Sequence, residues 1–181
     1  MKRIFSPQRA LLLLIFLGSF SSSSIASILR YQFSGNITSI DNNLANTLGV
    51  SAGNDLLSVI LSFDSNAVDI NSTTDQRGSY AVDLSFSLGN LSSSSQLAAY
   101  TSVLSPTSIV IGSSNYSATY NQFTANEFAM FFQVVQDPNF ILTDKLPLTA
   151  FDPASFVTRN WFILGTYSGS NVQISGEVSN M

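Results

Sequence analysis

The segment Tyr80-Ala-Val-Asp-Leu-Ser-Phe-Ser-Leu88 decides how this chain is read. Tyr80, Val82, Leu84, Phe86 and Leu88 occupy every second position, with Ala81, Asp83, Ser85 and Ser87 between them. Successive side chains of an extended strand point to opposite faces, so this spacing gives one dry face and one wet face. A helix would need its apolar residues three and four apart, which the segment does not supply.

The same period runs outward in both directions. Leu57, Val59, Leu61 and Phe63 repeat it. Leu29, Tyr31 and Phe33 begin a first strand that resumes past Gly35 with Ile37 and Ile40, the glycine predicting a bend or bulge. Further strands are predicted over residues 107–112, 127–135, 159–167 and 171–179, the last two joined by a hairpin at Ser168-Gly169-Ser170. In Phe128-Ala-Met-Phe-Phe-Gln-Val-Val135 both faces are largely apolar, which predicts a strand covered on both sides. Residues 41–55, 65–79, 89–95 and 113–116 read as turn-rich connectors, residues 96–103 as a turn or two of helix, and 151–155 as a single turn. Short strands between turn signals predict an all-β fold in one domain, a sandwich or a barrel. The expectation is a β-sandwich, jelly-roll-like or a similar two-sheet antiparallel architecture.

The first 26 residues read differently. Lys2, Arg3 and Arg9 flank the start of the apolar run Leu11-Leu-Leu-Leu-Ile-Phe-Leu17, and small residues follow to Ser24 and Ala26. A positive start, a short apolar run and small residues at −3 and −1 define a secretory signal peptide, with cleavage expected after Ala26. A membrane span needs about 20 apolar residues, more than this run contains. Residues 27–181 are then the folded domain, with no stable membrane span, and the expected location is secreted, extracellular or periplasmic.

Removing the leader leaves Arg30, Arg77, Lys145 and Arg159 against all 11 acids, a net charge of about −7. Binding to nucleic acid relies on clustered Lys and Arg, so that partner is excluded, and anionic membrane surfaces are disfavoured on the same ground. Ser and Thr make up about a quarter of the chain, and only 10% of residues are charged, against a usual quarter. With 14 Phe and 6 Tyr, the composition is that of a folded chain and not a disordered one.

There is no Cys and no His. That removes disulfides, Ser-His triads, cysteine nucleophiles and His- or Cys-ligated zinc. Lys145, the one lysine beyond the leader, sits beside Pro147 and reads as a solvated loop cation. Two carboxylates would suffice for a glycosidase, and Asp83 and Glu127 are the candidates on strands. For calcium, which takes six to eight oxygens, the candidate ligands are Asp64, Asn66, Asp69, Asn71 and Asp75. The helical calcium-loop pattern is missing there, and Asp and Asn equally serve connector turns. No other cofactor is expected.

Aromatic rings offer a carbohydrate-stacking surface, with Tyr116, Tyr120 and Trp161 as candidates and Tyr100 and Phe123 nearby in type. The competing reading is core packing, and since Trp161 adjoins Phe162, one of the two must point inward. Asn-x-Ser/Thr triplets at Asn36, Asn71, Asn90 and Asn115 occur at the frequency this Ser/Thr content produces by chance.

The opening Tyr31-Gln-Phe-Ser-Gly-Asn-Ile-Thr-Ser-Ile-Asp41 resembles the first strand of secreted bacterial proteins of the PEP-CTERM class. Gly49-Val-Ser-Ala-Gly-Asn-Asp55, Ser62-Phe-Asp64, Arg77-Gly-Ser-Tyr80, Leu146-Pro-Leu148, Phe151-Asp-Pro-Ala-Ser-Phe156 and Ser175-Gly-Glu-Val178 follow the same layout. The resemblance implies a β-sandwich and bacterial export, and it transfers no active-site residues. Such proteins continue into a Pro-Glu-Pro motif, an apolar helix and a basic cluster. The sequence ends at Met181 without them, which implies either truncation or release without that sorting step. The expected function is an exported, non-enzymatic cell-surface or extracellular-matrix protein, with extracellular polysaccharide or surface proteins as partners. The alternatives are a carbohydrate-binding module and a two-carboxylate glycoside hydrolase.

Overall fold

The computed structural model describes residues 27–53, 56–70, 77–93, 97–104, 108–135 and 152–181, so the leader lies outside the described residues. The strands are β1 (Ile28–Ser39), β2 (Leu56–Asp64), β3 (Arg77–Leu88), β4 (Leu91–Ser92), β5 (Leu97–Leu104), β6 (Ser108–Tyr120), β7 (Phe123–Val135), β8 (Phe156–Tyr167) and β9 (Ser170–Asn180). One helix, α1 (Asn42–Leu48), and a 3-10 turn at Pro153–Ser155 complete the described elements.

The alternation read from residues 80–88 is borne out in full. Tyr80, Val82, Leu84, Phe86 and Leu88 are buried, whereas Ala81, Asp83 and Ser87 are exposed. Gly35 does sit at an irregularity, where the pairing of β1 with β9 shifts between Ser34 and Gly35. The predicted β8–β9 hairpin turns at Ser168 (φ 49°) and Gly169 (φ 82°), the pair of left-handed residues that a tight two-residue hairpin requires.

The all-β class holds, but the strand pairings correct the two-sheet sandwich. All the pairs are antiparallel, and the order is β2-β1-β9-β8-β7-β6-β5-β3-β4 with an additional pairing of β2 to β3. Following the neighbours returns to the start. β1 pairs β2, β2 pairs β3, and β3 pairs β5; the meander then runs through β6, β7 and β8 to β9, which pairs β1 again. The eight long strands therefore form one closed sheet, an up-and-down barrel without free edges, and β4 is a short flap on β3. Sandwich and barrel share the same alternation, because each strand has one dry face in either. Only the pairing of first strand with last distinguishes them.

Two local expectations also change. Residues 97–104 form strand β5 and not a helical turn, because β3 and β6 flank them with backbone partners on both sides. Residues 113–116 lie inside β6, where the register with β7 slips between Ser114 and Ala118. A second slip falls between Ala125 and Glu127 opposite β8. Such bulges bend the strands and help a sheet curl shut.

Helix α1 sits in a stretch read as turns. The Asp41 carboxylate accepts hydrogen bonds from the amides of Asn43 and Leu44 at 2.9 and 3.1 Å, and Gly49 ends the helix in the left-handed region. Leu44, Ala45 and Leu48 are buried. They belong to the same core cluster as the barrel interior, at the end where β1, β3, β6 and β8 terminate. The helix is tied there by the Asn90 amide, which donates to the Leu48 carbonyl at 2.9 Å, and by the Thr47 and Tyr167 hydroxyls at 2.8 Å.

Eight strands leave an interior just wide enough for side chains to fill. Rings from opposite walls meet in it. Phe86 of β3 stacks on Phe128 of β7 with centroids 5.3 Å apart, and Phe33 of β1 meets Phe132 of β7 at 5.7 Å. Each fully buried Phe contributes about 1.5–3 kcal/mol through the water it sheds. Ser108 and Ser113 are the buried polar residues among those described; no buried carboxylate or cation occurs there.

Candidate functional site

Strand β8 carries two large rings in succession, and they face opposite sides of the wall. Trp161 pairs with Met130 of β7 and Gly176 of β9, and it is fully buried. The indole lies against two glycines. A Cβ on Gly35 would sit 2.7 Å from its Nε1, and a Cβ on Gly176 would sit 2.5 Å from its Cε2. Gly35 on β1 and Gly176 on β9 thus make the flat space into which the indole fits. This corrects the choice of Trp161 as a carbohydrate-stacking ring: with no exposed surface, it presents no face to a ligand outside. Its Nε1 has no hydrogen-bond partner among the described residues, a cost of about 1–3 kcal/mol carried by the packing around it.

Phe162 points outward. It stacks diagonally on Phe131 of β7 with centroids 5.5 Å apart and planes 26° from parallel, and both rings are half-buried. Their cross-strand partners are Ala129 for Phe162 and Asn160 for Phe131. The pair therefore spans two rows of the outer wall, as diagonal neighbours across adjacent strands do. Around it lies a groove of about 450 Å³, lined by Thr38 of β1, Gln133 of β7, Thr158 and Asn160 of β8, and Gln173 and Ser175 of β9. A second hollow of about 530 Å³ continues along the same wall past Gln173 to Asn126, Glu127, Leu164 and Asn171. The expectation that β7 is covered on both faces meets this outer wall: Ala129 is buried beneath the rings, while Phe131 stays half-open.

Of the other ring candidates, Tyr120 ends β6 half-buried against the core cluster. Tyr116 belongs to β6 by backbone, and its side chain lies outside the described residues. The candidate rings are thus dispersed, and the outward pair Phe131–Phe162 was missed. The apolar residues on both faces of residues 128–135 were the signal that could have found it. They were read as burial by another layer, not as an exposed ring on a barrel wall.

The calcium candidates divide in the same way. Asp64 accepts from the Asn66 amide at 2.7 Å, and its carbonyl accepts from Ala67 at 2.9 Å. The Asp69 carboxylate reaches forward ten residues to accept from the Ser79 amide at 2.7 Å, while the Ile70 amide donates to the Ser79 carbonyl. Asp64 and Asp69 thus hold a connector against the start of β3. Asn71 and Asp75 lie outside the described residues. Among the described residues, no group of three or more acidic side chains could hold a metal ion.

Asp83 and Glu127 are not brought together. Asp83 is exposed on β3 and Glu127 half-buried on β7, with β5 and β6 between. Three strand spacings put them about 14 Å apart around the wall, beyond the roughly 5–10 Å that paired glycosidase carboxylates need. The Arg159 guanidinium instead donates to the Glu177 carboxylate at 2.6 Å on a partly exposed part of the wall. Among ionisable groups, Tyr31 has its pKa raised by burial, where its ring packs 5.4 Å from Phe63.

No family model matches the chain, and no curated protein or solved structure matches it either. No helix among the described residues is long and apolar enough to cross a membrane.

Proposed function

We propose that this is an exported, non-enzymatic protein of the cell surface or extracellular matrix, a closed barrel that acts by binding through its outer wall. One observation carries the reading: the described core is filled by apolar side chains, and the buried polar groups among the described residues are the hydroxyls of Ser108 and Ser113 and the indole N–H of Trp161, none of them a titratable acid or base. Catalysis gains most from polar and titratable groups held in a water-excluded site, and such groups are the ones whose pKa values shift. Among the described residues no acid or cation is buried, and the candidate carboxylates stand about 14 Å apart around the wall. The polar groups available to a partner are the Ser, Thr, Asn and Gln side chains of the outer wall. The leader over residues 1–26 and the PEP-CTERM resemblance support export, with extracellular polysaccharide or another surface protein as partner.

The test has two arms. The protein expressed in a bacterial host is expected outside the cytoplasm with Met1–Ala26 removed, read by mass spectrometry of the extracellular and periplasmic fractions. The purified, folded protein is expected to turn over no member of a glycan and ester substrate panel. Retention of the intact leader in the cytoplasm, or hydrolysis that survives repurification, overturns the proposal.

A further inference from the structure

We propose that the outer groove around Phe131 and Phe162 is a binding site for a neutral polysaccharide chain; this rests on the reading of the protein as a binder and names its ligand class. A sugar ring offers an apolar C–H face and a rim of hydroxyls that both donate and accept hydrogen bonds. The groove has the complement of each part. The Phe131–Phe162 pair, with centroids 5.5 Å apart, is a ring platform on the outside of the barrel. Gln133, Asn160 and Gln173 surround it, and each amide both donates and accepts. Among the described residues, no hydrogen bond to protein engages these three side-chain amides.

Charge selects among polysaccharides. Among the described residues, no charged side chain lines the groove that holds the rings. Arg159, on the strand that carries Phe162, is already paired with Glu177, and the adjoining hollow contributes a carboxylate, Glu127. Among the described lining residues an anionic polymer would meet no free cation and one like charge, on a protein of net negative charge. A neutral polymer meets no such penalty. The two hollows share Gln173, and from Thr158 to Gly165 the wall runs roughly 23 Å along β8, enough for several linked sugars. Stacking on a rigid sheet also costs little ordering, because strand pairing holds both rings on neighbouring strands.

The protein is passed over insoluble cellulose, starch and a β-1,3-glucan, with pectate as the acidic polymer, and affinities are then measured with soluble oligosaccharides of the polymer that retains it. Retention on at least one neutral polymer and none on pectate is expected. Phe162→Ala is expected to weaken binding at least tenfold and Gln173→Ala severalfold, while Phe162→Tyr keeps the platform and stays within about threefold. Melting curves of each variant separate lost stacking from lost folding, and Ser175→Arg, directly across from Phe162, fills the groove while leaving both rings in the chain. No retention on any neutral polymer, preference for pectate, or binding unchanged by both Phe162→Ala and Ser175→Arg overturns the site. A protein that neither binds nor hydrolyses these polymers sinks this inference and leaves the non-enzymatic reading standing; hydrolysis sinks that reading instead.

Discussion

Trp161 and Phe162 are consecutive residues on one strand, and the barrel wall puts them in different worlds. Trp161 is enclosed, pressed on the glycines of β1 and β9, with an indole N–H that finds no acceptor among the described residues. Phe162 lies half-open among amides and hydroxyls, stacked on one other ring. The difference teaches that aromatic content has no single meaning here. Inside, a ring is held by shape, and space cleared for it must be matched on adjacent strands. Outside, a ring is held by one stacked neighbour and stays partly open to water.

The largest way to break this contrast is to empty the inner site. Trp161→Ala is expected to cost about 3–5 kcal/mol in urea unfolding, through lost burial and the cavity left behind. Trp161→Phe is expected to cost much less, since the unpaired donor disappears with the indole. Equal losses for the two would show that the N–H is not a burden. Gly176→Ala follows at about 3 kcal/mol, because a Cβ there runs into the Asn36 carbonyl as well as the indole. Trimming the ring in the same chain, as Trp161→Leu, is not expected to restore it, since the backbone clash remains.

Smaller effects sharpen the comparison. Asp41→Ala removes the cap of the helix that packs into the same core and should cost about 1 kcal/mol. Phe162→Ala should cost less than about 1 kcal/mol of stability, although it is expected to cost most of the binding. A loss as large as that of Trp161→Ala would make Phe162 a core residue and end the distinction. Smallest is a pH effect at Tyr31. Burial raises its pKa above the ordinary value of 10.0, so the folded state holds this proton more tightly than the unfolded chain does. The contribution is present in full below pH 10.0 and is lost as pH climbs through the raised folded value. The wild-type melting temperature should therefore fall more steeply above that pH than that of Tyr31→Phe, by circular dichroism.

Much of the fold was legible. Residues 57–63 and 80–88 alternate cleanly because each strand of a filled barrel has one face inside and one in water. The cap of α1 was also readable in principle: Asp41, then Leu44 and Leu48 one turn apart, then Gly49. It was passed over because seven residues make a weak periodic signal among Asn and Thr. Strand β5 was misread since residues 97–104 lack alternation, and only pairing to β3 and β6 makes them extended. The calcium candidates could not be judged from composition, because Asp64 and Asp69 serve a connector through hydrogen bonds to amides as far as ten residues away.

By itself, the order of residues determined an all-β chain, its principal strands, the hairpin at Ser168-Gly169 and the bend at Gly35. It also required Trp161 and Phe162 to part company, as neighbours on a strand must. Tertiary structure alone decided that the sheet closes, which of the two rings goes inside, and that Phe131 becomes the partner of the other. The reason is that alternation is a property of one strand, whereas closure, matched glycines and a shared groove depend on strands far apart in the chain. The pairing of β1 with β9 brings Gly35 and Gly176 to the indole and leaves the opposite face of the wall to Phe162.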